Sequence, residues 1–243
     1  METTSAYPLA RTISERVSGF FASRRGVRAN LDQLIADADT KFEAVAIFGG
    51  MLRELALNPP KKFSSDIDLV VRASSAELST FAASYDARPN KFGGFRFVYN
   101  GWYIDLWTLD STWANRQGYF HLSKLEDLVQ TTFFNIDAIV YLTKEKSVFA
   151  SEEFFQGLED HVLDINFQPN PFPSRCARRA IKMFLNYEFD MSTALARFVV
   201  GEFRNIESPS ELEVRAYKYL NSELISSDDA GVISWVGTPD LFD

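Results

Sequence analysis

The sequence predicts an α+β protein, in which a mixed, antiparallel-rich sheet is followed by a helical module. Three features lead to this prediction. A short apolar run over 43–48 is closed by Gly49–Gly50, a β-branched run begins at Asp66, and Asn100–Gly101 separates two aromatic, β-branched arms. After residue 122 the pattern becomes mostly helical. Strand patterns followed by helical patterns are typical of α+β folds.

Helices and strands alternate in the first part of the chain. The predicted elements are a helix over 8–23, a helix over 29–38, a strand over 43–48, a helix over 51–57, a loop over 58–65, a strand over 66–71 and a helix over 75–84. Asn30 is a candidate N-cap of the second helix because its side chain can accept a backbone N–H bond. Pro59–Pro60 ends the third helix, since proline cannot continue a helix.

A β-hairpin is the clearest local signal in the sequence. Its arms are 95–99 and 102–108, and Asn-Gly is the dipeptide preferred in a type I′ turn. A two-residue loop fixes which residues lie opposite each other. The expected pairs are Val98 with Tyr103, Phe97 with Ile104, and Arg96 with Asp105. Asp105 therefore has a candidate basic neighbour.

Helical segments predominate in the second half. They are predicted over 123–131, over the Phe-rich stretch 133–142, and over 151–160, 174–188, 191–203 and 208–221. Prolines at 169, 171 and 173 mark a break. The predicted division is an N-terminal helical extension (1–27), a head (28–145), a helical neck and body (146–225) and an acidic, loosely ordered tail (226–243). Within the tail, Trp235–Phe242 is a candidate docking segment for a protein partner.

Composition excludes several classes of protein. The net charge of −8 is opposite to that of proteins that grip long nucleic acids through many phosphates, so any nucleic-acid contact should be local. The single cysteine, Cys176, excludes an internal disulfide and a thiolate zinc cluster. No apolar run is long enough to cross a bilayer. We therefore expect a cytoplasmic protein with no membrane partner.

Three carboxylates are the firmest functional signal. Asp66 and Asp68 are two residues apart on one predicted strand, so their side chains point to the same face, and Asp105 on a second strand supplies a third. Two like charges about 4 Å apart repel by roughly 4 kcal/mol at an effective dielectric constant near 20, so such a cluster needs cations. Carboxylate oxygens suit Mg²⁺, with Mn²⁺ as an alternative. Taken alone, Asp-x-Asp also fits a pair of surface carboxylates.

A glycine turn accompanies the carboxylates. Gly49–Gly50 lies between a predicted strand and a helix, a geometry that presents backbone N–H groups and a helix N-terminus to an anion. Arg53, one turn into the helix, can add a charge-assisted bond to phosphate. A Gly-Gly pair by itself means only a turn. Together with the aspartates it indicates a site for a nucleoside triphosphate and metal ions.

A basic stripe follows on the helix over 174–188. Its members recur at helical spacing and are Arg175, Arg178, Arg179 and Lys182. In an acidic protein this stripe fits phosphates or an RNA end, although a solvated helix face is the plain alternative. Trp102, Tyr103 and Trp107 can stack a base, but cross-strand packing explains them equally.

These motifs resemble those of a known family. The sequences GGMLRE and SDIDLVV within 45–71, LEDLVQTTFFNIDAI at 125–139 and SRCARRAIKMFLNYEFDMS at 174–192 resemble the head and neck of class II tRNA nucleotidyltransferases (CCA-adding enzymes) and bacterial poly(A) polymerases. The resemblance covers about residues 40–195. It implies a polymerase β-like nucleotidyltransferase head with a five-stranded mixed sheet, two-metal catalysis and nucleotide selection by the neck.

Two departures from the family pattern limit what the resemblance implies. Where the family has Arg-Arg-Asp, this chain has Thr131–Thr132–Phe133, so the family's choice between CTP and ATP does not carry over. The stretch after the neck is also much shorter than the family's tRNA-holding body and tail. We therefore do not expect CCA addition itself.

The resulting hypothesis is transfer of a nucleoside monophosphate from a nucleoside triphosphate to an acceptor hydroxyl, at a site in the groove between head and helical module. Asp66, Asp68 and Asp105 are the predicted catalytic residues and metal ligands, with Asp105 as the candidate base for the attacking hydroxyl. The predicted nucleotide-binding residues are Gly49, Gly50, Arg53, Ser65, Arg96, Arg178, Arg179 and Lys182. The expected acceptor is an RNA (tRNA) 3′ end. A protein or small-molecule acceptor, in a toxin, defence or resistance role, and a catalytically altered nucleotide-binding interaction module stay open.

Overall fold

Two sheets and their surrounding helices make up the computed structural model, which describes residues 8–22, 31–57, 66–226 and 231–236. The helices are α1 (Pro8–Phe21), α2 (Leu31–Lys41), α3 (Gly50–Leu57), α4 (Ser75–Ala83), α5 (Trp113–Arg116), α6 (Glu152–Glu159), α7 (Pro173–Asn186), α8 (Thr193–Glu202) and α9 (Glu211–Ser226). The strands are β1 (Ala44–Phe48), β2 (Ile67–Arg72), β3 (Arg88–Pro89), β4 (Phe95–Tyr99), β5 (Trp102–Thr108), β6 (Ile139–Leu142), β7 (Ser147–Ala150), β8 (Val162–Leu163), β9 (Asp190–Ser192) and β10 (Val232–Ile233). Asn30, Ser65 and the predicted loop over 58–65 lie outside the described residues.

The larger sheet has seven strands in the order β3-β4-β5-β2-β1-β6-β7. Its β2–β5 pair is parallel and its other neighbouring strands are antiparallel. The predicted fold class, α+β with a mixed, antiparallel-rich sheet, is confirmed. The parallel pair matters for function because it places the starts of β2 and β5 side by side.

The hairpin prediction is confirmed together with its register. Arg96 lies opposite Asp105, Phe97 opposite Ile104, and Val98 opposite Tyr103. Both loop residues have positive φ, 50° at Asn100 and 83° at Gly101, as a type I′ turn requires. A two-residue turn thus determines which side chain faces Asp105.

Helix α1 belongs to the body of the larger sheet rather than to a separate extension. The Phe20 ring packs against Trp102 of β5 at a centroid distance of 5.6 Å. Arg16 Nη1 donates hydrogen bonds to the carbonyls of Leu55 and Ala56, at 2.8 and 2.7 Å. Because the last carbonyls of a helix have no partner within it, this arginine caps the C-terminus of α3. Helix α1 therefore helps to hold α3, the helix that begins at the Gly49–Gly50 turn.

The prediction of helix over the whole stretch 133–142 is wrong. Ile139–Leu142 form strand β6, which pairs antiparallel with β1 and with β7. A short apolar run fits either a buried strand or a buried helix by pattern alone, and here pairing with β1 decides. The sheet accordingly has seven strands, compared with the five that the resemblance implies.

Residue contacts divide the chain into two units. The first comprises residues up to Thr132 together with Asp137–Ser151, and the second comprises Phe133–Ile136 and the residues from Glu152 onward. Strand β7 thus lies in the first unit, whereas the predicted boundary after residue 145 assigns it to the helical module. The second unit holds α7, α8 and α9 and the small sheet β10-β9-β8.

The described part of the predicted loose tail is built into the second unit. Strand β10 pairs antiparallel with β9. The Trp235 ring contacts Phe184 and Tyr219, at centroid distances of 5.6 and 5.1 Å. Trp235 therefore packs within its own chain, which leaves the predicted docking segment without this anchor. Among the described residues, no helix combines the length and the apolarity needed to cross a bilayer.

Candidate active site

The parallel pair β2–β5 brings two of the three predicted carboxylates together. Asp68 of β2 lies directly opposite Asp105 of β5, and Ile67 lies opposite Ile104. Because side chains alternate along a strand, the two isoleucines are buried on one face while the aspartates share the other. Asp66 precedes β2 by one residue and, two residues from Asp68, belongs to the same face. We call this the carboxylate face of the sheet.

Arg96 connects the carboxylates. Its Nε donates to Asp105 Oδ1 at 2.8 Å, and its Nη2 donates to Asp105 Oδ2 and, at 3.0 Å, to Asp66 Oδ2. The fork geometry of a guanidinium allows it to bind both oxygens of one carboxylate while also reaching a second. Arg96 is thus a cation that binds two of the three carboxylates.

Exposure differs sharply within this cluster. Asp105 is buried, with 5% of its surface accessible, whereas the side chains of Arg96 and Asp66 are 51% and 42% exposed. Hydrogen bonding to Asp105 raises the pKa of the Arg96 guanidinium, against the opposing effect of desolvation, and the charges of Asp105, Asp66 and Asp68 add to this. A buried acid is therefore bound by an arginine whose outer side is open to solvent.

The donor set of the carboxylate face has the chemistry that Mg²⁺ prefers, namely carboxylate oxygens from neighbouring strands. Within the described residues, however, no group of three or more acidic, His or Cys side chains is gathered closely enough to hold an ion. The Arg96 guanidinium bonds to both Asp66 and Asp105. The aspartates are therefore suitable metal ligands in their chemistry. In this structure, however, both carboxylate oxygens of the buried Asp105 accept hydrogen bonds from Arg96.

The Gly49–Gly50 turn connects β1 to α3. Gly49 has a φ of +69°, a conformation that side-chain-bearing residues rarely adopt, and the space that a Cβ would occupy there is open. Its N–H donates to the Ile139 carbonyl at 3.2 Å, and its carbonyl accepts from Leu52 N at 3.0 Å. Helix geometry leaves the first N–H groups of α3, at Gly50 and Met51, without intrahelical acceptors. The turn can therefore present N–H groups to an anion.

Arg53 is placed differently from what a phosphate contact requires. It is buried, with 6% of its surface accessible, and its Nη1 and Nη2 donate to Asp137 and, at 3.2 Å, to Glu54. Burial would lower the pKa of this guanidinium, but the charges of Asp137 and Glu54 outweigh that effect and raise it. Its Nε has no hydrogen-bond partner within the described residues. Arg53 thus ties α3 to the segment that leads into β6.

Members of the basic stripe on α7 occupy different environments in the second unit. Arg178 forms an ion pair with Glu213 at 3.0 Å and donates to the Glu207 carbonyl. Arg179 is exposed and its guanidinium lies over the Phe134 ring, 5.5 Å from the centroid, and Lys182 is exposed. Arg178 is therefore a packing residue of the unit, while Arg179 and Lys182 face outward.

The residues that replace the family's Arg-Arg-Asp are used for packing. Thr131 Oγ1 donates to the Leu128 carbonyl at 2.8 Å, and Thr132 is buried. Phe133 is buried in the second unit, where its ring lies 4.8 Å from that of Phe134 and 4.9 Å from that of Phe198. None of these three side chains can offer a nucleotide the charges that Arg-Arg-Asp would.

Asp137 is the residue near the site that the sequence patterns do not single out. It is buried and binds Arg53 across a separation of 84 positions in the chain. The available signal is its place in the 125–139 motif. An acid at that position predicts a basic partner, but the partner is found only once the sheet is assembled.

Comparison with solved structures identifies the fold. The chain is similar to the Thermotoga maritima CCA-adding enzyme complexed with tRNA (TM-score 0.60, 18% identity, 93% of this chain and 56% of that chain). It is also similar to a CCA-adding enzyme in apo form I (TM-score 0.59, 17% identity, 85% of this chain and 54% of that chain). A third similar structure is a CCA-adding enzyme in complex with CTP (TM-score 0.52, 18% identity, 88% of this chain and 50% of that chain). The chain therefore has the nucleotidyltransferase fold of these enzymes, and the resemblance seen in its motifs is confirmed at the level of the fold.

The chain spans about half the length of the structures it matches. No family model and no curated protein sequence matches it. The similarity thus lies in the three-dimensional fold, since the sequence identities are only 17–18%.

Proposed function

We propose that the chain is a nucleotidyltransferase that moves a nucleoside monophosphate from a nucleoside triphosphate to the 3′ hydroxyl of an RNA such as tRNA. The fold supports this, since similar structures are CCA-adding enzymes, one complexed with tRNA and one with CTP. The acidic net charge supports an acceptor held locally at its end rather than along its length.

One observation carries the proposal: the parallel register that sets Asp68 beside Asp105, with Asp66 on the same face. A protein gains no stability from placing like charges together, because they repel. Arg96 offsets part of this repulsion, and a cationic ligand on the side that is open to solvent would offset more of it. The Gly49–Gly50 turn at the end of neighbouring β1 adds an anion site next to it.

Asp66, Asp68 and Asp105 are the residues that would hold Mg²⁺. A divalent ion there supplies charge to the triphosphate and lowers the pKa of the attacking hydroxyl. The Arg96 guanidinium must give up at least one oxygen of Asp105 for this to happen, since both are hydrogen-bonded to it. The exposed outer side of Arg96 leaves it room to turn toward a phosphate, where its fork geometry suits two oxygens.

The remaining residues bind and orient. Gly50 and Met51 offer N–H groups to the triphosphate, and Arg53 positions their helix through Asp137 rather than contacting phosphate itself. The acceptor hydroxyl transfers its proton to a carboxylate oxygen of Asp105 as its oxygen bonds to the α-phosphorus. The bond from that phosphorus to the bridging oxygen breaks, and pyrophosphate leaves. Arg179 and Lys182 stay predicted phosphate contacts.

Transfer of label tests this proposal. The purified chain is incubated with each α-labelled nucleoside triphosphate, Mg²⁺ or Mn²⁺, and either total cell RNA, tRNA or small-molecule-containing lysate. We expect label in RNA, dependent on divalent metal. The control is Asp66→Ala/Asp68→Ala with an unchanged thermal unfolding midpoint, which should show no transfer.

The product identifies the acceptor. Label in protein or in a small product, with none in RNA, would overturn the RNA acceptor and keep the reaction type. Triphosphate bound but never transferred, to any acceptor and with either metal, would overturn the enzyme and favour a nucleotide-binding interaction module.

A further inference from the structure

Two exposed apolar residues lie on the carboxylate face beside the aspartates. Tyr103 and Val98 are cross-strand neighbours in the β4–β5 hairpin and are 55% and 58% exposed. Tyr103 is two residues from Asp105 on the same strand, and Val98 is two residues from Arg96, so all four share a face. By continuation of the β2–β5 register, Asp66 falls beside Tyr103.

Four other aromatic residues of the hairpin have contacts or burial that account for them. Trp102 packs against Phe20, Tyr99 contacts Tyr85 at 5.6 Å, and Phe97 is buried. The Trp107 side chain lies so close to Gly94 that a Cβ there would collide with it. Single exposed apolar residues are ordinary on a protein surface, but a facing Tyr–Val pair next to a carboxylate cluster is a surface on which a flat ring can lie.

The order of the strands indicates whether the ring that lies on this surface belongs to the acceptor or to the triphosphate. Across the sheet the order is β4, β5, β2, β1, so the Gly49–Gly50 turn after β1 lies on one side of Asp66 and Asp68, and Tyr103 and Val98 lie on the other. At the ordinary strand spacing, Tyr103 is about 10 Å from the end of β1. In phosphoryl transfer the attacking and leaving oxygens lie roughly in line on opposite sides of the phosphorus. If the triphosphate is held at the turn, the acceptor approaches from the Tyr103 side.

Charge on the same face fits a nucleic-acid acceptor. Arg88 of β3 lies opposite Arg96 of β4 and is exposed, so an arginine of the edge strand lies in the row next to the Tyr103–Val98 pair. Because the charge of Arg96 is bound by Asp66 and Asp105, Arg88 is the arginine of this row that can meet a phosphate preceding a terminal base. Proteins that bind single-stranded nucleic acids combine aromatic rings, on which bases stack, with cations that contact the backbone.

We propose that Tyr103, supported by Val98, stacks the terminal base of the acceptor RNA and so positions its 3′ hydroxyl at Asp105. The inference rests on the proposed function, and it assigns an acceptor-binding residue to it. Since every base has a flat face, this contact accepts any terminal nucleotide.

Kinetics of matched variants test the assignment. Tyr103→Ala should raise the KM for acceptor RNA about tenfold and leave the KM for the triphosphate within about twofold, whereas Tyr103→Phe keeps the ring and should behave like wild type. Tyr187→Ala, which removes another partly exposed tyrosine in the second unit, is the control. An unchanged acceptor KM in Tyr103→Ala would overturn the assignment.

Photocrosslinking tests it without requiring turnover. RNA with 5-iodouridine as its last nucleotide is irradiated with the protein in Mg²⁺ and no triphosphate, and adducts are mapped by mass spectrometry. An adduct on Tyr103, lost in Tyr103→Ala, is expected, and adducts only elsewhere would overturn the inference. A second irradiation uses 5-iodo-UTP and no RNA; a Tyr103 adduct that forms there and not with the RNA would assign the surface to the incoming nucleotide and overturn the acceptor assignment.

The two proposals fail separately. If the protein transfers label to RNA and the Tyr103→Ala variant has an unchanged KM for the acceptor, only the stacking role is contradicted. A Tyr103 adduct with RNA in a protein that never transfers label sinks the proposed reaction and keeps the base site.

Discussion

Two arginines of the first unit, Arg53 and Arg96, bind aspartates in surroundings that differ in exposure. The Arg53–Asp137 pair is closed, with side chains 7% and 8% exposed, whereas Arg96 is 51% exposed although its partner Asp105 is buried. A closed pair can only hold its elements together, because nothing can exchange with either partner without unfolding. An open pair can exchange one partner for a ligand. The comparison therefore separates an arginine that maintains the fold from one that is available for chemistry.

Breaking the closed pair should have the largest effect on stability. Asp137→Ala leaves the Arg53 charge buried without its main partner, and removal of one partner of a buried pair costs about 3–5 kcal/mol. Urea unfolding followed by circular dichroism measures this. Asp137→Asn keeps a hydrogen-bond acceptor and the side-chain shape, so its free energy of unfolding should fall less than that of Asp137→Ala. A loss below about 1 kcal/mol in Asp137→Ala, the range of exposed pairs, would contradict the distinction.

Breaking the open pair should change metal binding instead. Arg96→Ala removes a cation that occupies carboxylate oxygens, so we expect Mn²⁺ to bind about tenfold more tightly, a difference of about 1.4 kcal/mol. Calorimetric titration or the electron paramagnetic resonance signal of free Mn²⁺ measures it. In the absence of metal the unfolding free energy should fall as well, because buried Asp105 loses this partner, but by less than in Asp137→Ala, since Arg96 itself is 51% exposed.

The control for this variant is Arg72→Ala, which removes an exposed arginine of the same unit whose partner is Glu43 at 3.6 Å. It should leave Mn²⁺ affinity unchanged. Weaker Mn²⁺ binding in Arg96→Ala would mean that the arginine organises the carboxylates for the ion rather than competing with it.

The Arg178–Glu213 pair in the second unit extends the comparison to pH. Glu213 is buried; burial raises its pKa, but hydrogen bonds from Ser210 and the charges of Arg178 and Lys182 outweigh this and lower it. A carboxyl whose pKa is lowered by folding stabilises the protein above its unfolded pKa of about 4.3, and that contribution is lost as pH falls through the folded value.

Glu213→Gln should therefore lower the unfolding free energy by about 1 kcal/mol at pH 7, comparable to loss of a helix cap. The difference from wild type should begin to shrink as the pH falls below the unfolded pKa of about 4.3, and it should vanish once the pH is below the lowered pKa of Glu213 in the folded protein. Urea unfolding at a series of pH values measures it. A difference that stays constant down to pH 3 would mean that the charge of Glu213 contributes nothing.

Local signals made much of the fold and the centre of the site predictable. Asn100–Gly101 fixes a two-residue turn, and the turn fixes Arg96 opposite Asp105, so the open pair follows from residues nine positions apart. The alternation of Asp66 and Asp68 along a strand likewise requires only local geometry.

Contacts between distant segments could not be predicted in this way. The burial of Arg53 depends on Asp137, 84 positions away, so a residue predicted to bind nucleotide is placed against a partner that only the assembled sheet provides. Ile139–Leu142 form a strand because β1 is beside them, and their pattern alone does not distinguish strand from helix. Arg178 belongs to the basic stripe by its spacing, but in the structure it forms an ion pair with Glu213 of α9.

Label transfer by Asp105→Asn is the most direct test of the central claim, that the open carboxylate cluster drives nucleotide transfer. The substitution keeps the size of the buried side chain and removes its charge. With α-labelled triphosphates, Mg²⁺ and RNA, the account predicts metal-dependent labelling by the wild type and a loss of about a thousandfold or more in the variant, at a similar unfolding midpoint. Transfer by Asp105→Asn at the wild-type rate would contradict it.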